Sequence, residues 1–180
     1  EQAAASNADP KIKEQAAYNY ALCIHETSYS AFGESVTVFE KFLNEFPNSP
    51  YAEKVSNYLV EVYMNTRSYD AALKSIDRIS HPSKAILEAK QKILFQLGTQ
   101  SFANTQFEQA IGYFNQSVTL RQYNLQTKAD ALYWLGESYY RLNRMREAAR
   151  NFNEYLSLTR QRDTEMFALA YYNLGYIAFH

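Results

Sequence analysis

The sequence predicts an all-α protein built as a right-handed stack of helical hairpins, an α-solenoid. Three observations predict this fold. Hydrophobic residues make up 47% of the 180 residues, which is enough for a sizeable core. Only five glycines and four prolines are spread along the chain, so long helices are favoured over the frequent turns of a β-sandwich. A pattern of small and aromatic residues also recurs along the chain, which is typical of repeat architectures.

The recurring pattern is clearest in two segments with identical internal spacing. In one, Ala110 follows Gly98 by twelve residues, and an aromatic residue lies four further on. In the other, Ala148 follows Gly136 by twelve residues, again with an aromatic residue four further on. Looser copies extend the pattern to both ends, and the small-residue markers of the five copies are Cys23, Val60, Gly98, Gly136 and Gly175. These markers are separated by 37, 38, 38 and 39 residues, so the period is regular.

Packing explains why these places favour small and aromatic residues. A glycine on the first helix of a hairpin and an alanine on the second let the two axes approach closely, so we expect the two small residues to face each other. The aromatic residue lies one turn after the alanine and fills the gap toward the next hairpin. One hairpin cannot bury its apolar stripe alone, so stability depends on the stacking of neighbours.

Nine helices follow from this pattern, and prolines mark several of their starts. Proline follows Asp9, Ser49 and His81, and we expect each proline at the first position of a helix, where its missing N–H is tolerated. Short connections within the hairpins predict antiparallel neighbours. The predicted helices span about 10–27, 31–45, 50–66, 69–79, 83–104, 107–121, 125–142, 145–160 and 164–180.

These helices are predicted to form one repeat array over residues 10–180, after a disordered N-terminal segment at 1–9. The array contains about four repeats and one further helix. The predicted repeats span about 10–47, 48–82, 83–123 and 124–162, with a partial repeat at 163–180. Because the chain stops inside a first helix, we expect either a longer natural chain or a homodimer formed through the unfinished C-terminal repeat.

The repeated residues resemble the tetratricopeptide repeat (TPR) family, and the resemblance covers the chain from about Ala16 onward. The family's usual period of about 34 residues is shorter than the 37 to 39 residues seen here. The resemblance implies a right-handed superhelix that binds a protein or peptide in a concave groove, with no enzymatic activity and no cofactor.

A second resemblance concerns the junction 42–63, FLNEFPNSPYAEKVSNYLVEVY. Its run of aromatic residue, proline and serine between repeats is similar to periplasmic bacterial TPR proteins of envelope biogenesis. The resemblance implies a periplasmic or cell-envelope location in a Gram-negative bacterium. The alternative is a cytoplasmic protein.

In the TPR family, the first helix of each repeat lines the groove. The corresponding places are three residues before, one after and four after each small marker, and they define the candidate partner-binding residues. These residues are Asn57, Glu61, Phe95, Thr99, Phe102, Tyr133, Glu137, Tyr140, Tyr172 and Tyr176. Tyrosine and phenylalanine suit peptide recognition because they bury large areas at low rotamer cost. The alternative for each ring is that it packs between consecutive first helices. The lysine and asparagine clamp that some family members use for a C-terminal carboxylate is absent here.

Composition argues against several other functions. The formal charge is −1 and no block of like charges appears, so nucleic acid is an improbable partner. No apolar stretch is long enough to span a membrane. Cys23 is expected to be a small core residue. His25, His81 and His180 lie in different repeats, which argues against a metal site.

Two alternative functions remain open. One is a helical-hairpin carbohydrate-binding or carbohydrate-active protein, in which Glu61 or Glu137 would act as acid or base. The other is a structural, self-assembling segment of a longer repeat protein. The sequence does not identify the partner, the organism or the oligomeric state.

Overall fold

The structure, a computed structural model, describes residues 9–27, 33–66, 68–120 and 123–179. Within these ranges the chain forms nine helices and no strand, which confirms the prediction of an all-α fold made of helical hairpins. The helices are α1 (Pro10–Thr27), α2 (Gly33–Glu45), α3 (Ala52–Thr66), α4 (Tyr69–Asp77), α5 (Lys84–Ala103), α6 (Phe107–Thr119), α7 (Leu125–Arg141), α8 (Met145–Leu158) and α9 (Glu165–Phe179).

The helix bounds lie within a few residues of the predicted ones. The predicted segment 1–9, apart from Asp9, lies outside the described residues, as do the predicted helix limits at 31, 121 and 180. Pro10 is the first residue of α1, as predicted, and the Asp9 carboxylate accepts a hydrogen bond from the Lys11 N–H at 2.9 Å. Pro50 and Pro82 lie one turn or less before α3 and α5, rather than inside them.

The turns that close the two clearest hairpins share one backbone conformation. Thr105 and Asn143 both have a φ of 59°, in the left-handed region. The N–H of the next residue bonds back into the preceding helix in both turns, from Gln106 to the Ser101 carbonyl and from Arg144 to the Tyr139 carbonyl, at 2.9 Å each. The repeat therefore extends from side-chain spacing to the geometry of the turn.

The chain divides into two compact units, residues 1–89 and 90–180, with the boundary inside α5. The prediction of a single array over 10–180 therefore stays a prediction.

In the first unit, α1 packs on α2, α2 on α3, and α3 on α4. The Glu40 carboxylate lies nearly buried and accepts two hydrogen bonds from Arg78, at 2.7 and 2.8 Å. Asn44, one turn after Glu40, donates to the Arg78 carbonyl and accepts from the Ser80 N–H. One face of α2 thus fixes the chain at the end of α4.

In the second unit, α6 packs on α7, α7 on α8, and α8 on α9. The largest buried side chains of this core are aromatic or branched, and include Phe114, Phe152, Tyr155, Leu132 and Leu135. Asn124 caps α7 by accepting a hydrogen bond from the Thr127 N–H at 2.9 Å. Its carbonyl accepts from the fully buried Gln91 side chain, which ties the start of α7 to α5.

Candidate functional site

The two glycine markers of the second unit face aromatic rings. A Cβ built on Gly98 would lie 2.5 Å from the Phe114 ring, and one on Gly136 would lie 2.6 Å from the Phe152 ring. The close approach predicted from the sequence is confirmed, but its partner differs. Each glycine accommodates the aromatic residue of the second helix, rather than facing an alanine, because the ring occupies the space over the missing side chain.

This packing corrects part of the predicted groove. Tyr133, three residues before its glycine, is only 3% exposed, and its ring contacts Phe152 and Tyr155 at 5.8 and 5.4 Å between centroids. Phe95 holds the same place in the preceding repeat, is half-buried and contacts Phe114 at the same 5.8 Å. The expectation that Tyr133 presents its ring to a partner is wrong, because the second helix of the hairpin covers this place.

Other predicted residues remain accessible where consecutive first helices of the unit meet. Phe102 of α5 contacts Trp134 of α7 at 4.9 Å, and Tyr140 of α7 contacts Tyr176 of α9 at 6.0 Å. Phe102 and Tyr140 are half-buried, as is Thr99, whose hydroxyl donates to the Gln96 carbonyl. The structure therefore brings the predicted Tyr140 and Tyr176 together across α7 and α9, whereas Phe102 of α5 contacts Trp134, which the pattern did not select.

Three tyrosines form the most accessible part of this region, and we call Tyr140, Tyr172 and Tyr176 the tyrosine surface. Tyr172 is 70% exposed and Tyr176 is 42% exposed. Partial burial raises the pKa of Tyr140, and the neighbouring Tyr176 and Tyr172 raise that pKa further. The three hydroxyls therefore lie close enough to influence one another, and a tyrosine hydroxyl can both donate and accept a hydrogen bond.

Glu137 joins α7 to α9 beside the tyrosine surface. Its carboxylate accepts a hydrogen bond from the Asn173 amide at 2.5 Å, and the Tyr133 hydroxyl lies at a long 3.5 Å. Burial raises the pKa of Glu137, while Arg141 and the Asn173 bond oppose that shift. Sequence reasoning missed Asn173, which is 8% exposed. Its polar side chain within the apolar run of α9 was the available clue.

In the first unit, the predicted residues Asn57 and Glu61 are both exposed on α3. Asn57 lines a cavity of about 500 Å³ between the start of α3 and the start of α5. Leu43, Pro47 and Ala85 form apolar parts of its wall. Drug-sized ligands occupy cavities of about 300–1,000 Å³, so this cavity is large enough for a bulky side chain of a partner.

Cys23 is exposed, so its prediction as a core residue is wrong. The buried face of α1 runs through Tyr18 and Ala21. Cys23, two residues after Ala21, lies on the opposite side because successive helical residues are about 100° apart. In the degenerate first copy, Cys23 therefore does not occupy the place that glycine occupies in the later copies.

His25 and His81, the two histidines within the described residues, lie apart from any metal-binding group. His25 lies beside the rings of Phe39 and Tyr58, at 5.2 and 5.5 Å. His81 is exposed and lines the cavity of the first unit, while His180 lies outside the described residues. Among the residues that the structure describes, no group of three or more histidine, cysteine, aspartate or glutamate side chains is placed to hold a metal ion. Within the same ranges, no helix combines the length and apolar character needed to cross a membrane.

Comparison with known proteins bears on the second unit. Residues 130–158 match a family model described as a tetratricopeptide repeat, a segment that contains most of α7 and all of α8. The same segment contains the Gly136 and Phe152 pair. A search of curated proteins finds no match to the chain. The match to residues 130–158 supports the assignment of this hairpin to the tetratricopeptide repeat family.

Proposed function

We propose that the chain is a protein-binding scaffold whose second unit accepts a peptide segment or partner domain on the tyrosine surface. A tetratricopeptide repeat indicates a protein–protein interaction scaffold, and residues 130–158 match that family. The single observation that carries the proposal is the exposure of Tyr172 and Tyr176, at 70% and 42%, beside Tyr140 on consecutive first helices. Such rings supply apolar area and a hydroxyl at low conformational cost.

The tyrosine surface favours a partner with an aliphatic or aromatic anchor. Its tyrosine hydroxyls can both donate to and accept from the partner's main chain. Glu137 lies beside them but is already bonded to Asn173, so we assign it a positioning role between α7 and α9. Phe102 and Thr99 lie half-buried on α5, where Phe102 contacts Trp134 of α7.

The cavity of the first unit provides a separately testable contact. Asn57 offers an amide donor and acceptor at its edge, and Leu43 and Pro47 offer apolar wall. We propose that this cavity receives one bulky apolar side chain of a partner, with the Asn57 amide bonded to the main chain beside it. Asn57→Leu should weaken a partner bound there, whereas the exposed Asn65 on the same helix provides a matched control.

The tyrosine surface can be tested by selecting peptides from a displayed random library and measuring their affinity by titration calorimetry. Tyr140→Ala combined with Tyr176→Ala should weaken a selected peptide by at least tenfold, about 1.4 kcal/mol. Tyr171→Ala is the matched control, because Tyr171 is 57% exposed on α9 but packs on Phe167 instead. If the double variant and the control bind the selected peptide with equal affinity, the tyrosine surface is not the binding site.

The same variants distinguish carbohydrate binding from peptide binding. Exposed tyrosine rings can stack on sugars, so a glycan array is screened in parallel. An all-helical repeat fold of this type is generally non-enzymatic. Binding of a glycan that depends on Tyr140 and Tyr176, with no selected peptide, would favour the carbohydrate-binding function.

A second candidate function is self-association through α9. Tyr172 and Gly175 hold the places that Tyr133 and Gly136 hold on α7, where α8 covers them. On α9 a Cβ at Gly175 would meet nothing within 4 Å, and Phe179 is 89% exposed. We propose that this face pairs with a second copy. Light scattering across a dilution series should show a dimer that dissociates, and a monomer at every concentration would exclude it.

We also propose a bacterial envelope location, on the likeness of the junction 42–63 to periplasmic TPR proteins. Fractionation of the native cells with an antibody against this chain tests it. Recovery with the cytoplasmic fraction would rule the location out.

A further inference from the structure

The second unit carries a groove on a different face from the tyrosine surface. It lies between α6 and α8, over α7, with a cavity volume of about 270 Å³. Its walls include Asn115 and Val118 of α6 and Arg150 and Asn151 of α8, and its floor includes Leu135 and Tyr139 of α7. Drug-sized ligands usually occupy about 300–1,000 Å³, so this groove suits one or two side chains of a longer segment.

The acidic side chains of the groove already have basic partners. The Glu147 carboxylate lies 2.8 Å from the Arg144 guanidinium, which also lies 4.0 Å from the Glu108 carboxylate, and Glu154 lies 3.5 Å from the nearly buried Lys128 ammonium. Arg150 is exposed, and within the described part of the chain its side chain has neither an ion-pair nor a hydrogen-bond partner. The groove therefore presents one cation without a paired counter-charge. Arg146 lies one turn earlier on α8, outside the lining of the groove, where its charge acts on Glu147.

Two amides flank this cation. The side-chain amide of the exposed Asn115 has no hydrogen-bond partner among the other described residues. The Asn151 amide donates to the Glu147 carbonyl at 2.8 Å, which orients the group and leaves its oxygen available. A primary amide offers both a donor and an acceptor, which match the carbonyl and N–H of a peptide. The Tyr139 ring below is held by the Arg144 guanidinium, 4.7 Å from its centroid.

We propose that this groove binds an acidic, extended segment of a partner protein. A carboxylate of the segment pairs with Arg150, and its main chain bonds to Asn115 and Asn151. A small apolar side chain lies over Tyr139. Charge complementarity selects the acidic segment, because the groove lacks an anion for Arg150 and its own carboxylates are paired. This site goes beyond the proposed function, since it uses other residues of α7 than Glu137 and Tyr140.

Fluorescence anisotropy with two synthetic probes tests the proposal. One labelled peptide alternates aspartate with alanine, and the other replaces each aspartate by asparagine. The acidic peptide should bind the full chain, and Arg150→Gln should weaken it about tenfold, as expected for a lost hydrogen bond to a charged group. Asn115→Ala should weaken it by a smaller factor. Arg162→Gln is the matched control, because Arg162 is also exposed and lies outside the groove.

Circular dichroism should show unchanged folding of the Arg150 variant, because its side chain is exposed and unpaired. Several results would overturn the proposal. These are failure of the acidic peptide to bind, equal binding of the neutral peptide, and equal effects of Arg150→Gln and Arg162→Gln. Tighter, Arg150-dependent binding of a single-stranded oligonucleotide would assign the groove to a nucleic acid instead, and would equally overturn it.

Discussion

The contact between Gly136 and Phe152 allows us to predict whether Gly136→Ala raises or lowers the stability of the folded protein. A Cβ added by Gly136→Ala would lie 2.6 Å from two atoms of the Phe152 ring, whereas ordinary contacts lie at 3.4–4 Å. The ring is fully buried, so it can move only by displacing its neighbours. Overpacking of a core costs roughly 1–3 kcal/mol, and alanine regains about 1 kcal/mol of helix propensity. Because the overlap is large, we expect a net loss of about 1–2 kcal/mol.

Gly112→Ala is the matched control for this substitution. Gly112 lies in the middle of α6, and a Cβ there would meet nothing within 4 Å. The same change should therefore stabilise the protein by about 0.5–1 kcal/mol. Urea denaturation followed by circular dichroism measures both variants against the natural chain. If both substitutions stabilise the protein equally, the reasoning about the glycine and the ring is refuted.

Three further predictions concern stability. Tyr133→Ala should destabilise the protein by roughly 3–5 kcal/mol, the range for loss of a buried aromatic ring, whereas the exposed Tyr172→Ala should leave the urea midpoint unchanged. Glu40→Gln should cost about 1 kcal/mol by weakening its bidentate bond to the guanidinium, while the same change at the exposed Glu45 should cost under about 0.5 kcal/mol. Equal losses of stability in the Glu40 and Glu45 variants would contradict this expectation. The raised pKa of Glu137 means that the folded state holds its proton more tightly, so this group lowers stability as the pH rises above the usual glutamate pKa of 4.5. The stability of Glu137→Gln relative to the natural chain should therefore increase as the pH rises from acidic to neutral. A difference between the urea midpoints of the two proteins that stays the same at every pH would contradict this.

The sequence was sufficient for the helices because each one carries a strong periodic pattern. Asp9 and Pro10 placed the start of α1 to the residue. The equal spacing around Gly98 and Gly136 correctly predicted that these residues allow close packing. The later start of α3 arises because Pro50 precedes this helix instead of entering it.

The candidate site was only partly predictable, because spacing shows which residues share a face and not what covers that face. Tyr133 and Tyr172 hold equivalent places in their repeats, yet one is 3% exposed and the other 70%. The difference arises because α8 packs over Tyr133. The bond between Glu137 and Asn173 joins residues 36 positions apart and has no local sequence pattern. Cys23 shows the limit of a degenerate copy, because it lies on the exposed side of α1 while Ala21, two residues earlier, is buried.

Binding of a protein segment to the tyrosine surface can be observed by NMR of tyrosine rings labelled with carbon-13. A peptide selected for binding is titrated into the chain. We expect the ring signals of Tyr140, Tyr172 and Tyr176 to shift with the bound fraction, while those of the buried Tyr63 and Tyr155 stay in place. Saturation of binding without any shift of the three surface rings would contradict this expectation.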